Sequence, residues 1–220
     1  ENPGIEGGDR LLAWVGAAAA PGQQSASAPG QIVFINGNGD TQTLMDVPVG
    51  TSRVHACGEQ ATSPDGRYFA FFVGGDNGTL YLMDGTREPR EVRDMFALGC
   101  ASVATFQYTP DSERFAYIDF EPDAPSSDFA HGFLYVYSTG DVEQVTRFDN
   151  VTAFDASDTG LAFLGFFTDS QGRATEAAVS LWDQSGEPDE ITTLFADSGC
   201  QFTSGQVVFT GPTALAVVMG

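Results

Sequence analysis

The sequence predicts an all-β protein built from successive four-stranded antiparallel sheets. Two observations lead to this fold class: a composition that favours strands joined by tight turns, and a short motif that recurs at constant spacing. The chain of 220 residues contains 26 Gly and 11 Pro, which interrupt helices and supply turn conformations. Hydrophobic residues make up 42% of the chain, and Phe alone occurs 18 times, so a large core is available.

The recurring motif is a polar turn followed by an apolar triplet. It occurs four times, with the triplets Phe69-Ala70-Phe71, Phe115-Ala116-Tyr117, Leu161-Ala162-Phe163 and Val207-Val208-Phe209. The central residues of consecutive triplets are 46 positions apart. A constant spacing of this length is typical of stacked structural repeats. We therefore predict that Ala70, Ala116, Ala162 and Val208 occupy equivalent positions on corresponding strands.

Each repeat continues with a second apolar segment, a polar turn and a more polar segment. The second apolar segments lie at 80–83, 134–137 and 179–182, and the polar ones at 91–93, 143–146 and 191–194. A rise in polarity along successive strands is expected when four-stranded sheets are arranged radially, as the blades of a β-propeller. Small Ala at the centre of each triplet would let neighbouring sheets approach closely.

The turn that precedes the first triplet carries the most specific local signal. In Ser63-Pro64-Asp65-Gly66, Pro fixes φ, Asp bonds the nearby backbone, and Gly admits positive φ. Residues 63–71 resemble the S-P-D-G-x-x-I/L-A-F/Y signature of the TolB-like and WD-repeat-like β-propeller repeat family. Residues 109–117 are a looser copy, and 157–163 have lost the Pro. The resemblance covers about 52–211 and implies the fold, but it implies no particular role.

The repeat predicts the organisation of the chain. We expect an N-terminal tail at 1–9 and a propeller domain at 10–220 that is incomplete at its C-terminus. The domain would hold four to five blades of a ring of about six to eight. Blades are expected at about 10–50, 51–96, 97–149 and 150–197, with a partial blade at about 198–220.

The net charge of the chain excludes some classes of binding partner. Asp and Glu number 30 against nine basic residues, all of them Arg, which gives a net charge of −21. Such a chain repels phosphate backbones and anionic membrane surfaces, so nucleic acid is excluded as a partner. Three interpretations of the acidity stay open: solubility of an extracellular protein, adaptation to high salt, and a docking face for a basic partner.

The cysteines predict a disulfide. Cys57 and Cys100 lie 43 residues apart, and each precedes its repeat's turn motif, so we expect them to bridge adjacent blades. Two independent buried thiols are the alternative, and Cys200 would be unpaired. No CxxC spacing occurs, and only His55 and His131 could join the cysteines as ligands, so no metal site is predicted.

Motifs for catalysis are not found. The chain contains no G-x-S-x-G and no Gly-rich phosphate cradle, so we assign no catalytic residue and no cofactor. The acidic residues between 119 and 128 match no calcium-loop spacing. Two glycosylation sequons, at 77–79 and 150–152, are also explained as ordinary turns. No apolar run reaches the length of a transmembrane segment.

These observations favour a non-enzymatic protein-interaction scaffold outside the cytoplasm: periplasmic, secreted or at the cell surface. It could serve as an accessory subunit docked on a larger membrane complex. Binding is expected at loops of one face, namely the insertion 17–30 and the loop 121–132, where the candidate residues are Asp123, Asp128, Phe129 and His131. Phe129 would be the aromatic anchor, and the surrounding carboxylates would favour a basic partner.

Two other functions remain open at the level of sequence. The first is the propeller domain of a larger hydrolase, such as a prolyl-oligopeptidase-like enzyme, whose catalytic domain would lie beyond residue 220. The second is binding of a small molecule or ion in the central channel of the ring.

Overall fold

The computed structural model describes residues 11–16, 30–35, 38–47, 53–57, 61–74, 78–84, 88–95, 106–120, 132–168, 174–195, 205–211 and 214–219. The chain divides into two compact units, residues 1–101 and 102–220. The protein is all-β, since every regular element in the described ranges is a strand of an antiparallel sheet. No helix long and apolar enough to cross a membrane occurs in the described part of the chain.

Unit 1 contains two sheets in which sequential strands are neighbours. Sheet 1 consists of β1 (Leu11–Gly16), β2 (Gly30–Ile35) and β3 (Thr41–Val47). Sheet 2 consists of β4 (Arg53–Ala56), β5 (Phe69–Gly74), β6 (Gly78–Met83) and β7 (Arg90–Met95). The two sheets share a hydrophobic core that includes Ile32 and Val47 of sheet 1 and Phe71, Val73 and Met83 of sheet 2.

Unit 2 contains three sheets with the same sequential order. Sheet 3 consists of β8 (Phe106–Tyr108), β9 (Arg114–Phe120), β10 (Gly132–Ser138) and β11 (Gln144–Phe148). Sheet 4 consists of β12 (Val151–Ser157), β13 (Gly160–Thr168), β14 (Ala174–Trp182) and β15 (Asp189–Phe195). Sheet 5 has two described strands, β16 (Gly205–Gly211) and β17 (Ala214–Met219).

Sheet 4 packs on a neighbouring sheet with each of its faces. Because side chains alternate along a strand, β13 sends Leu161 and Phe163 to the core shared with sheet 3, and Ala162 and Leu164 to the core shared with sheet 5. Val207 of sheet 5 completes the second core and is 3% exposed. Within unit 2 the three sheets therefore form a face-to-face stack.

The central residue of each triplet occupies the equivalent position on its strand in all four repeats, and three of the four are buried. Ala70, Ala116 and Ala162 are on the second strands of sheets 2, 3 and 4, and all three are buried. Val208 lies on β16 opposite Ala216, yet it is 44% exposed. β16 alternates as β13 does: Val207 and Phe209 enter the core with the preceding sheet, and Val208, like Ala162, is on the opposite face.

The turns before the second strands are closed by their own side chains. Ser63 Oγ donates to Asp65 Oδ1 and accepts from the N–H of Tyr68, while Gly66 has φ of 72°. The second copy repeats the arrangement: Thr109 Oγ1 donates to Asp111 Oδ1 at 2.6 Å and accepts from the N–H of Arg114. The turn chemistry read from the sequence is therefore present in both copies.

In unit 2, the first-strand residue that pairs with the central Ala forms a hydrogen bond to the following sheet. Gln107 is paired with Ala116, and its Oε1 accepts from the N–H of Ala156 in sheet 4 at 3.0 Å. Asp155 is paired with Ala162, and its Oδ2 accepts from the N–H of Phe209 in sheet 5 at 2.7 Å. Both side chains thus fix the register between adjacent sheets.

Cys57 occupies the same position in sheet 2. Its N–H donates to the carbonyl of Ala70, and its side chain is fully buried. Cys100, its predicted partner, and Cys200 lie outside the described residues, so the Cys57–Cys100 disulfide stays a prediction.

Candidate functional site

A cleft of about 530 Å³ lies between sheets 4 and 5 of unit 2. Sheet 5 lines it with three apolar side chains, Phe209, Leu215 and Val217. Sheet 4 lines it with three apolar and three polar residues: Val179, Leu181, Ile191, Thr192, Thr159 and Asp183. Most of the apolar side chains around it are only partly buried, and Ile191 is 49% exposed.

The equivalent gap between sheets 3 and 4 is filled by aromatic rings. Phe148, on the fourth strand of sheet 3, stacks on Phe163 of sheet 4 with ring centroids 4.8 Å apart. It also meets the ring of Trp182 edge-on at 5.6 Å. Phe148 is 9% exposed and Trp182 3%, so these rings close the gap to solvent.

Strand register shows which residues replace those rings in the cleft. Phe148 pairs with Leu134, which pairs with Ile118, two positions after the central Ala. The same route in sheet 4 runs from Leu164 through Val179 to Thr192. Thr192 therefore stands where sheet 3 has a phenyl ring.

The second replacement lies on the third strand. Trp182 pairs with Leu161, the first residue of its triplet, and Val217 pairs with Val207, the first residue of the next. Val217 thus stands where sheet 4 has an indole. Thr192 on sheet 4 and Val217 on sheet 5 are thus smaller than the aromatic residues at the equivalent positions. The space that those rings would fill forms the cleft. Phe209, the counterpart of Phe163, keeps its ring at the wall.

Two carboxylates of sheet 4, Asp183 and Asp189, lie at or beside the cleft. Asp183 follows β14, and its Oδ1 accepts from both the N–H and the Oγ of Ser185. The side-chain hydrogen bond, followed by the backbone one, lowers the pKa of Asp183, so the group is charged at neutral pH. Asp189 is paired with Leu181 and lies on the same face of sheet 4 as that lining residue.

The arrangement is suited to binding an apolar group. Concave, mostly apolar clefts of about 300–1,000 Å³ are typical of ligand sites. In the described part of the chain, no group of three or more His, Cys, Asp or Glu side chains is placed to hold a metal ion. The chemistry of the cleft is therefore burial of apolar surface, next to negative charge.

The binding residues proposed from the sequence lie elsewhere. Asp123, Asp128, Phe129 and His131 fall outside the described residues, as does most of the insertion 17–30. Their role in binding stays a prediction. Sequence reasoning did not find the cleft, because Thr192 and Val217 are ordinary strand residues. Only a comparison of strand partners among the repeats would single them out.

Comparisons with known proteins give similarity at the level of structure. No protein-family model matches the chain, and no curated protein matches it. The β-propeller domain of the Trilobed protease from Pyrococcus furiosus is 12% identical with a TM-score of 0.49, covering 84% of this chain and 54% of that one. Acylaminoacyl peptidase from Pyrococcus horikoshii is 16% identical with a TM-score of 0.49, covering 84% and 31%.

A TolB-like protein from Agrobacterium tumefaciens is 17% identical with a TM-score of 0.37, covering 76% of this chain and 57% of that one. The similar solved structures thus include β-propeller domains and a TolB-like protein. The chain spans about half, or less, of the length of these proteins.

Proposed function

We propose that the chain is a run of β-propeller blades that acts as a non-enzymatic protein-binding scaffold, with the cleft between sheets 4 and 5 as a binding site. The propeller assignment is supported by the 46-residue repeat, the sequential antiparallel order of each sheet and the face-to-face stacking inside each unit. Radially stacked four-stranded sheets are the building principle of that fold.

One observation carries the binding function: among the described residues, the gap between sheets 3 and 4 is closed by aromatic rings, whereas the next gap, between sheets 4 and 5, is open. A stack held together only by packing would gain stability from filling the second gap as it fills the first. The open gap instead leaves apolar walls that a partner's side chain would cover. Anchor side chains of protein interfaces are buried in pockets of this kind.

We further propose where in the cell this scaffold acts. Strong acidity without Lys and widely spaced cysteines support a location outside the cytoplasm: periplasmic, secreted or on the cell surface. There the protein would act as a subunit of a larger assembly, which includes assemblies docked on a membrane.

The experiment measures binding of short fluorescein-labelled peptides by fluorescence anisotropy. A Gly/Ser peptide with one central Trp is compared with the same peptide carrying Ala. We expect the wild-type chain to bind the Trp peptide in preference, and the Thr192→Phe variant to lose that preference, because the new ring would occupy the cleft. Equal binding of both peptides by the wild type would contradict the proposal.

A second candidate function is the propeller part of a larger hydrolase of the prolyl-oligopeptidase-like class. The 46-residue repeat supports it as well as it supports the scaffold, because the repeat defines the fold and leaves the role open. The sequence of the gene beyond residue 220 distinguishes the two. A G-x-S-x-G motif there would favour the hydrolase, and further repeats alone would favour the scaffold.

A further inference from the structure

All but one of the residues that line the cleft come from a stretch of chain that carries negative charge only. From residue 174 to residue 220 the sequence contains six carboxylates and no Arg, Lys or His. Four of the carboxylates lie in the turn after β14 and at the start of β15, and all four are exposed: Asp183, Glu187, Asp189 and Glu190. The apolar cleft therefore has an acidic edge.

The geometry places this charge beside the apolar walls. Asp183 lines the cleft itself, and its hydrogen bonds from Ser185 hold the carboxylate at the edge. Asp189 shares the face of Leu181, a wall residue. A cationic group next to a bound apolar side chain would thus meet carboxylates, and an anionic group would be repelled.

The aromatic pair between sheets 3 and 4 indicates which kind of apolar side chain a partner would place in the cleft. Phe163 receives the ring of Phe148 at 4.8 Å with an interplanar angle of 20°. Phe209 is the counterpart of Phe163, but its wall faces Thr192 in place of a ring. A ring supplied by a partner would restore the aromatic pair, which is worth more than its buried area alone.

We infer that the occupant of the cleft is a peptide segment that carries an aromatic side chain flanked by Lys or Arg. This inference rests on the proposed binding function and names the partner of that same site. The aromatic side chain enters between Phe209 and Thr192, and the basic residues lie against Asp183 and Asp189. A second copy of the chain does not fit this description, because two copies of net charge −21 repel each other.

The test uses four labelled peptides and fluorescence anisotropy. Three contain one Trp, flanked by Lys/Arg, by Gly/Ser or by Asp/Glu, and the fourth replaces Trp by Ala between Lys/Arg. At about 0.1 M NaCl we expect the basic Trp peptide to bind about tenfold tighter than the neutral one, since each exposed charge pair adds a few tenths of a kcal/mol to about 1 kcal/mol. At about 1 M NaCl, where the Debye length falls to about 3 Å, that advantage should disappear while the preference for Trp over Ala remains.

Matched variants locate the charges. Asp183→Asn with Asp189→Asn should remove most of the advantage of the basic peptide, because these are the two carboxylates that its basic residues contact, and Asn keeps the Oδ1 acceptor for Ser185. Glu143→Gln is the control, because Glu143 is an exposed carboxylate that follows the corresponding turn of sheet 3. Thr192→Phe should abolish the preference for Trp whatever residues flank it in the peptide. Near-UV circular dichroism checks the folding of this variant, and Val217→Trp replaces it if it folds poorly.

The outcomes separate the two levels of the proposal. If the three Trp peptides bind equally and Thr192→Phe abolishes their binding, the cleft is a binding site but the basic partner is wrong. If the basic Ala peptide binds as tightly as the basic Trp peptide, attraction is non-specific and the inference fails. If every Trp peptide binds the wild type no more tightly than it binds Thr192→Phe or Val217→Trp, the proposed function fails as well.

Discussion

The aromatic contact between sheets 3 and 4 offers a direct test of why the neighbouring gap is open. We consider the substitution Phe148→Thr, which gives sheet 3 the residue that sheet 4 has at the equivalent position. Phe148 is 9% exposed and packs on Phe163 and Trp182. The substitution would remove the ring that closes the gap and should open a second cleft.

The size of the effect follows from the area and the cavity. A buried aromatic side chain removes about 150–250 Å² from water, which at about 25 cal/mol per Å² corresponds to about 4–6 kcal/mol as an upper value. A compact unfolded state and the atoms that Thr retains reduce this figure. Measured Phe→Ala losses of about 3–5 kcal/mol set the scale, so we expect unfolding free energy to fall by about 3 kcal/mol.

Chemical denaturation followed by tryptophan fluorescence measures this loss. The chain has two Trp residues, so a Trp14→Phe background leaves Trp182, next to Phe148, as the reporter. Val145→Thr is the control: Val145 is on the same strand but 44% exposed, and it should change stability by less than about 0.5 kcal/mol.

Equal losses in Phe148→Thr and Val145→Thr would refute the reasoning. Ring packing would then not be what closes this gap, and the small side chain of Thr192 would not explain the cleft. The reciprocal change gives a second check, because Thr192→Phe should raise the unfolding free energy by about 1–2 kcal/mol as it buries a new ring.

Three further predictions concern the turns and the cysteines. Gly160→Ala should destabilise unit 2 by more than about 2 kcal/mol in denaturant titrations. Gly160 has φ of 149°, and a Cβ there would overlap the carbonyl oxygen of Trp182. A variant as stable as the wild type would contradict this close approach. Asp111→Ala should cost about 1–2 kcal/mol, since its Oδ1 accepts two hydrogen bonds that close the turn, and an unchanged denaturation midpoint would show that these bonds contribute nothing. Alkylation of the native, unreduced protein should label one cysteine, with Cys57 and Cys100 protected as a disulfide, whereas Cys100 labelled under native conditions would exclude their pairing.

Much of the fold could be predicted from the sequence because its causes are local. The turn at 63–66 is closed by bonds among residues no more than five positions apart, as Ser63 and Tyr68 illustrate. The apolar alternation of the triplets assigns Ala162 and Phe163 to opposite faces of one strand without any knowledge of neighbours. Such features depend on residue type and spacing, which the sequence states directly.

The links between sheets depended on the tertiary structure. Gln107 and Asp155 reach backbone groups 49 and 54 residues away, in the next sheet. Nothing in their local sequence distinguishes them from other polar strand residues. Their role arises because stacking brings the position opposite the central Ala next to the following sheet.

The cleft, too, was decided by tertiary packing. Phe148 and Thr192 are equivalent through cross-strand pairing, yet they are 44 residues apart and not 46. Sheet 4 is one residue shorter than sheet 3 between the paired positions of the second and third strands, and one residue shorter between those of the third and fourth. The linear repeat therefore aligns Phe148 with Leu194 and hides the change from a ring to a small side chain. The sequence by itself determined which strands form and how their faces alternate, since those properties follow from neighbouring residues. Whether two faces meet with a filled or an open gap depends on the summed volume of side chains from separate sheets, which only the tertiary structure brings together.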